Sequence, residues 1–280
     1  TGNDSLNGGG DNADDLFIFD ATNTLTSADS IDGGGHTAGD TVRVDLTGSV
    51  TFTLDEDFTN IENLVLNDQA AAGYDASVTL DAAFAQSNLS IDGSNMDAGE
   101  VLTVNASANS AAETVSILAG AGDDVLTGGA GSDTISGGAG NDTITGGAGT
   151  DNLSGNAGTD VFVVAQTGHL TAAETVDGGS NTGGVDTLRL DGSGTYDNTQ
   201  LDGTLNGVEV VSLNDNTTDW SLTFADAAFT NADINGDDTA DGTIRVQGAI
   251  ALSNDVLVDA SAASATNDVV VDCTTLGGND

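Results

Sequence analysis

"LAGAGDDVLTGGAGSDTISGGAGNDTITGGAGTDNLSGNAGTD", residues 118–160, holds little beyond glycine, small polar residues, aspartate and spaced aliphatics. Asp124, Asp133, Asp142, Asp151 and Asp160 stand nine apart, and two residues after each comes an apolar one: Leu126, Ile135, Ile144, Leu153 and Phe162. The unit is G-G-x-G-x-D-x-U-x, where U is large and apolar. A helix cannot use it, because each glycine costs about 1 kcal/mol relative to alanine. Short x-U-x strands separated by glycine turns can. Two units then close one coil of 18 residues, with U side chains pointing inward and paired glycines at positive φ.

In such a coil Asp124, Asp142 and Asp160 line one edge, and Asp133 and Asp151 the other. Neighbouring coils lie about 4.8 Å apart, so stacked carboxylates repel unless a cation sits between them. Carboxylate and carbonyl oxygens suit calcium, which takes six to eight ligands at about 2.3–2.6 Å, better than magnesium. Several bound ions would supply what the thin core lacks.

Composition agrees. Asp and Glu total 45 against 3 Lys and Arg, a formal net charge of -42. Such a chain repels itself unless something cationic neutralises it, and nucleic acid and anionic lipid are poor partners. Alternating apolar runs argue against a disordered acidic tail. No apolar run approaches the length of a membrane span. The lone Cys273 excludes an internal disulfide.

The five tandem units resemble the glycine-rich repeats of the RTX ("repeats in toxin") family, which form calcium-binding parallel β-rolls. The resemblance implies that Asp124, Asp133, Asp142, Asp151 and Asp160 each donate side-chain oxygen. It also implies that Gly120, Gly122, Gly129, Gly131, Gly138, Gly140, Gly147, Gly149 and Gly158 shape loops presenting backbone carbonyls. Ala119 and Asn156 replace glycines of the pattern, which implies weaker sites at the ends of the run. Together with strands such as "IENLVL", the repeats are similar to bacterial surface-layer and giant secreted RTX proteins. That likeness implies export by type I secretion machinery.

A longer repeat surrounds the short one. "DLFIFDATNTLTSADSIDGGGHTAGDTVRVD" (15–45) matches "DVFVVAQTGHLTAAETVDGGSNTGGVDTLRLD" (160–191), and "NIENLVLND" (60–68) matches "GVEVVSLND" (207–215), at an offset of about 146 residues. The expected fold is all-β: a parallel β-roll or β-solenoid flanked by duplicated β-rich modules. The organisation reads as a repeat stub (1–9), module A (10–118), the nonapeptide roll (119–163), module B (164–275) and a second stub (276–280). Within the modules, strands such as "TVRVDL" and "SVTFTL" alternate apolar side chains. They suit a broader solenoid stacked on the roll, or else a small sandwich. "DAAFAQSN" and "DAAFTNAD" suggest one-turn helices capped by Asp81 and Asp226.

Secondary sites follow from stretched copies of the motif. Asp40 and Asp186 stand where a ligand aspartate would, Asp32 and Asp177 flank the turn, and simple Asx turns explain all four equally well. Asp14, with Asp11, and Asp4 in "GNDSL" occupy similar places. "DINGDDTADGTI" from Asp233 fails as a helix-type calcium loop, with Asp238 at position 6 and Ile244 at position 12. No catalytic constellation emerges. His36 and His169 lack zinc spacing, and Trp220, explained by packing at a sheet edge, Tyr74 and Tyr196 are too few for a sugar-stacking cleft.

The sequence therefore reads as a non-enzymatic, secreted or cell-surface structural unit of a calcium-stabilised assembly: a surface layer, extracellular filament or adhesin stalk. Alternatives are the secretion region of an RTX toxin or hydrolase and an adhesin binding module. Both ends fall inside glycine–aspartate motifs, so the stack is expected to continue, through the same long chain or through self-association into a filament or lattice.

Overall fold

The computed structural model describes residues 4–10, 13–20, 25–26, 29–35, 39–68, 73–171, 173–180, 185–192, 195–196, 201, 205–214, 220–225, 243–248, 256–262 and 268–272. The chain forms two compact units, Thr1–Gly140 and Asn141–Asp280. The fold is an all-β parallel solenoid; every strand pair given below runs parallel.

In the first unit one sheet stacks Leu16–Phe19, Thr41–Leu46, Asn63–Asp68, Asn88–Asp92, Thr114–Leu118 and Thr134–Ala139 in that order. A second stacks Val50–Leu54, Ala76–Leu80, Leu102–Asn105 and Val125–Thr127. A third, small sheet joins Ser5–Asn7, Ser30–Asp32 and Phe58–Thr59. The second unit repeats the arrangement. Thr143–Thr145, Val161–Val164, Thr187–Leu190, Val210–Leu213, Thr243–Gly248 and Asp268–Asp272 form one sheet. Asn152–Ala157, Thr175–Ser180 and Leu205–Asn206 form another, and Thr195–Tyr196, Trp220–Ala225 and Val256–Ala262 a third.

Alternation dictates which side chains enter the core. Val42, Val44 and Leu46 are buried along one strand while Thr41, Arg43 and Asp45 are only partly covered. The nonapeptide U residues Leu126, Ile135, Ile144, Leu153 and Phe162 are all buried, each at 3% exposure or less. Burying a side chain of this size stabilises by roughly 1.5–3 kcal/mol, and one per half-coil is a thin supply.

Coil length separates roll from module. Ser116 pairs with Thr134 and Thr143 with Val161, eighteen residues on in each case. In the modules Val50 pairs with Ala76, twenty-six on, and Thr187 with Val210, twenty-three on. The modules are thus solenoid coils with longer loops, not sandwiches.

Three local expectations change. Asp81 Oδ1 accepts the N–H groups of Ala83 and Phe84 at 2.8 and 3.1 Å, but the chain leaves this as a turn without a helix. Tight looping is favoured because Phe84 must point into the core, where it is 1% exposed. Trp220 begins the middle strand of its three-stranded sheet, not an edge strand. Among the repeat glycines, Gly138, Gly140, Gly147, Gly149 and Gly158 have positive φ, whereas Gly120, Gly122, Gly129 and Gly131 do not. The latter four are glycine because a Cβ would strike the preceding coil, as at Gly122 against the Glu100 carbonyl. Asn156, standing in place of a glycine, adopts φ 72°, a conformation Asn tolerates better than most residues. Asp226, His36, Cys273, Asp11, the Asp233–Asp241 stretch and the terminal stub after 275 lie outside the described residues.

Candidate metal centres

Many of the parallel strands start directly after an acidic residue, and in the pairs that follow that carboxylate accepts the N–H of the residue aligned with it on the preceding coil. In the second unit Asp142 N–H donates to Asp160 Oδ1 (2.8 Å), Asp160 N–H to Asp186 Oδ1 (2.7 Å), and Asp186 N–H to Glu209 Oε2 (2.6 Å). In the first, Asp15 N–H donates to Asp40 Oδ1 (2.7 Å) and Asp40 N–H to Glu62 Oε2 (3.0 Å). Leu102 N–H reaches Asp124 Oδ1 at 2.7 Å and Val115 N–H reaches Asp133 Oδ1 at 2.8 Å. Asp124, Asp133, Asp142, Asp151, Asp160, Asp186 and Asp40 are all buried. A buried N–H must find an acceptor, and the stacked carboxylates provide one per coil.

The second oxygen is placed by glycine. A Cβ at Gly155 would collide with Asp160 Oδ2 and lie 2.8 Å from the Gly178 carbonyl oxygen. At Gly178 it would collide with Asp186 Oδ2 and the Gly207 carbonyl, and at Gly33 with Asp40 Oδ2 and the Asn60 carbonyl. Gly146 clears the same space for Asp151 Oδ2. At Gly155, Gly178 and Gly33, a carboxylate and a carbonyl oxygen converge where a side chain is missing. Hard oxygen ligands without nitrogen or sulfur fit calcium, so the residues present suit that ion. Asp124 and Asp133 differ: their Oδ2 atoms accept N–H from Gly120 at 3.3 Å and Gly129 at 2.7 Å, so both loops turn donors toward the carboxylate.

Burial raises the proton affinity of these acids. It pushes Asp124 up to about 6 and Asp186 up to about 7, against the opposing N–H bonds from Leu102 and Gly120, and from Asp160, respectively. Glu174, at the start of Thr175–Ser180 and aligned next to Asp151, rises to about 8, chiefly by burial and with the Asp151 charge adding to it. Asp133 is raised by burial too.

The remaining acids named from sequence fall elsewhere. Asp32 and Asp177 close turns: Asp32 Oδ1 accepts from Gly34 N–H and Asn60 Nδ2, and Asp177 Oδ1 from Gly179 N–H and Asn206 Nδ2. Hydrogen bonds led by that from Asn60 lower Asp32 below the usual carboxylate range. Asp14 is exposed and packs against Gly39; its neighbour Asp15 takes the strand-start place. Asp4 N–H donates to Asp29 Oδ1 at 2.9 Å. Tyr196 is buried, its hydroxyl donating to the Gly192 carbonyl at 2.6 Å, so it offers no sugar platform.

A family model for the RTX calcium-binding nonapeptide repeat, in four copies, matches residues 116–144 and 127–162. The chain carries RTX-type calcium-binding repeats. No curated protein and no solved structure matches it. The RTX repeat is a structural calcium-binding element and not a catalytic one. Among the described residues one close trio of acids stands apart from the strand starts, Asp55, Glu56 and Asp81, and no helix is long and apolar enough to cross a membrane.

Sequence reading missed the glutamates Glu62, Glu174 and Glu209 and the glycines Gly33, Gly146, Gly155 and Gly178. A signal was present: "NIENLVL" and "GVEVVSL" place Glu before an alternating strand as the nonapeptides place Asp. The duplication also extends to side-chain bonds. Arg43 and Asn67 both donate to Asp45 Oδ1 (2.8 and 2.7 Å), and Arg189 and Asn214 to Asp191 Oδ1 (3.0 and 2.9 Å).

Proposed function

We propose that this chain is a structural repeat unit of a secreted, calcium-stabilised cell-surface assembly: a surface layer, filament or adhesin stalk. In this reading calcium is held by the strand-start aspartates of the nonapeptides, Asp124, Asp133, Asp142, Asp151 and Asp160, with carbonyls of the adjoining glycine loops. When bound, the ion neutralises stacked carboxylates and cross-links successive coils. The chain's own part is to bury those carboxylates, to fix one oxygen of Asp124, Asp133 and Asp160 on a backbone N–H, and to clear room for the second oxygen of Asp151 and Asp160 with Gly146 and Gly155.

The observation that supports the reading is the recurrence of one hydrogen-bond set, Asp15–Asp40–Glu62 before the nonapeptide run and Asp160–Asp186–Glu209 leading out of it. A module repeated with its roll builds length. A tail that only assists export needs nothing beyond the roll. Length, acidity and calcium dependence suit an extracellular scaffold reached by type I secretion, where surfaces this negative meet through bridging ions.

Electron microscopy of native material in calcium and again after chelation tests this. Ordered lattices or fibres that dissolve in chelator are expected. Isolated particles under both conditions would overturn the assembly reading in favour of the secretion region of a toxin or hydrolase.

A further inference from the structure

We propose that each duplicated module holds a calcium site of its own, outside the nonapeptide run: Asp186, Gly178 and Gly207 in the second unit, and Asp40, Gly33 and Asn60 in the first. This rests on the calcium-binding reading above and extends it to coils that the repeat family does not match.

Asp186 is the deciding residue. It is 0% exposed, its Oδ1 is taken by the Asp160 N–H, and its Oδ2 is buried with no hydrogen-bond partner. That oxygen and the Gly207 carbonyl oxygen both pack against Gly178, where a Cβ would collide with each. A buried carboxylate oxygen without a donor, held beside a carbonyl oxygen, is strongly unfavourable. A cation converts both into ligands. Both donors are hard oxygens, which suit calcium and not metals that seek thiolate or imidazole ligands.

The same geometry arises in the first unit from a different local sequence. "DGGGHTAGD" replaces "DGGSNTGGVD", yet Asp40 Oδ2 and the Asn60 carbonyl converge beside Gly33. Asn60 and Gly207 supply their carbonyls from matching left-handed backbones, φ 54° and 63°, which Asn and Gly adopt more readily than other residues. Glu62 and Glu209 act as positioning residues, each accepting the N–H of its aspartate. Asx turns do not account for Asp40 and Asp186, because Asp32 and Asp177 already make those turns.

The test counts bound calcium on the full chain by equilibrium dialysis with elemental analysis, comparing wild type with Asp186→Asn, Asp40→Asn and the double variant. Asparagine keeps an Oδ1 acceptor for the aligned N–H and can donate Nδ2–H to the facing carbonyl, so the fold should survive. Circular dichroism at saturating calcium checks it. Each single variant is expected to bind one ion fewer than wild type and the double variant two fewer. Gly178→Ala, whose methyl group would press on both Asp186 Oδ2 and the Gly207 carbonyl, should lose the same ion as Asp186→Asn. An unchanged count in folded Asp186→Asn and Asp40→Asn overturns the proposal while leaving the nonapeptide sites standing. A wild type that binds no calcium overturns both readings.

Discussion

The backbone N–H of Asp160, last aspartate of the nonapeptide run, donates to Asp186 Oδ1 at 2.7 Å across a gap of 26 residues. An aspartate of the run and one from a stretched motif are therefore rungs of one ladder. The loop between them can lengthen because the rung is set by alignment of strand starts, with Val161 opposite Thr187. Anything that neutralises the rungs should consequently act on roll and module together.

Calcium should control folding. With a net charge of -42, the chain in chelator at pH 8 is expected to be largely unfolded. It should gain β structure at roughly 10⁻⁴–10⁻³ M calcium, the range of extracellular modules. A circular dichroism titration measures it; an unchanged β spectrum in excess chelator would refute metal-dependent folding.

Acid should partly replace calcium. Asp124, Asp186 and Glu174 titrate near 6, 7 and 8 in the folded chain, above ordinary values of 3.8, 3.8 and 4.5. The folded state binds their protons more tightly, so their favourable contribution is present at low pH and lost as pH rises through about 6 to 8. In chelator, lowering the pH from 8 to 5 should therefore raise the melting temperature and β content. At saturating calcium, where the ligand oxygens stay ionised, that gain should disappear. A chelated chain more stable at pH 8 than at pH 5 would contradict this.

The thin core should make single U residues indispensable. Phe162 is 0% exposed, and Phe162→Ala is expected to cost about 3–5 kcal/mol, moving the calcium midpoint for folding upward. Thermal melts at fixed calcium would show the loss. A variant melting within a few degrees of wild type would mean that the ions alone hold the roll.

Asn156 should tolerate glycine and resist branching. At φ 72°, Asn156→Gly is expected to be neutral or slightly stabilising, whereas Asn156→Val should lose about 1–2 kcal/mol or more from the left-handed backbone. Paired melts of the two variants decide it; equal stability would rule out a strained position.

The nine-residue spacing by itself determined the fold class, because alternation of one inward side chain per triplet is a local property. It also determined the identity of the inward residues and the acidic edge. The repeat at an offset of about 146 residues was legible as well, and among the described residues the Arg43 and Asn67 bonds to Asp45 match the Arg189 and Asn214 bonds to Asp191. Only the tertiary structure decided which acids share a rung. Coil length changes from 18 in the roll to 23 and 26 in the modules, so alignment depends on hydrogen bonding between coils and not on spacing along the chain. For that reason Asp15 stands where Asp14 was expected, and Glu62, Glu174 and Glu209 join the aspartates at strand starts. The same cause separates Asp32 and Asp177 from Asp40 and Asp186. All four sit in similar glycine-rich turns, but the first pair meets an asparagine of the next coil, and the second pair a backbone carbonyl beside a glycine.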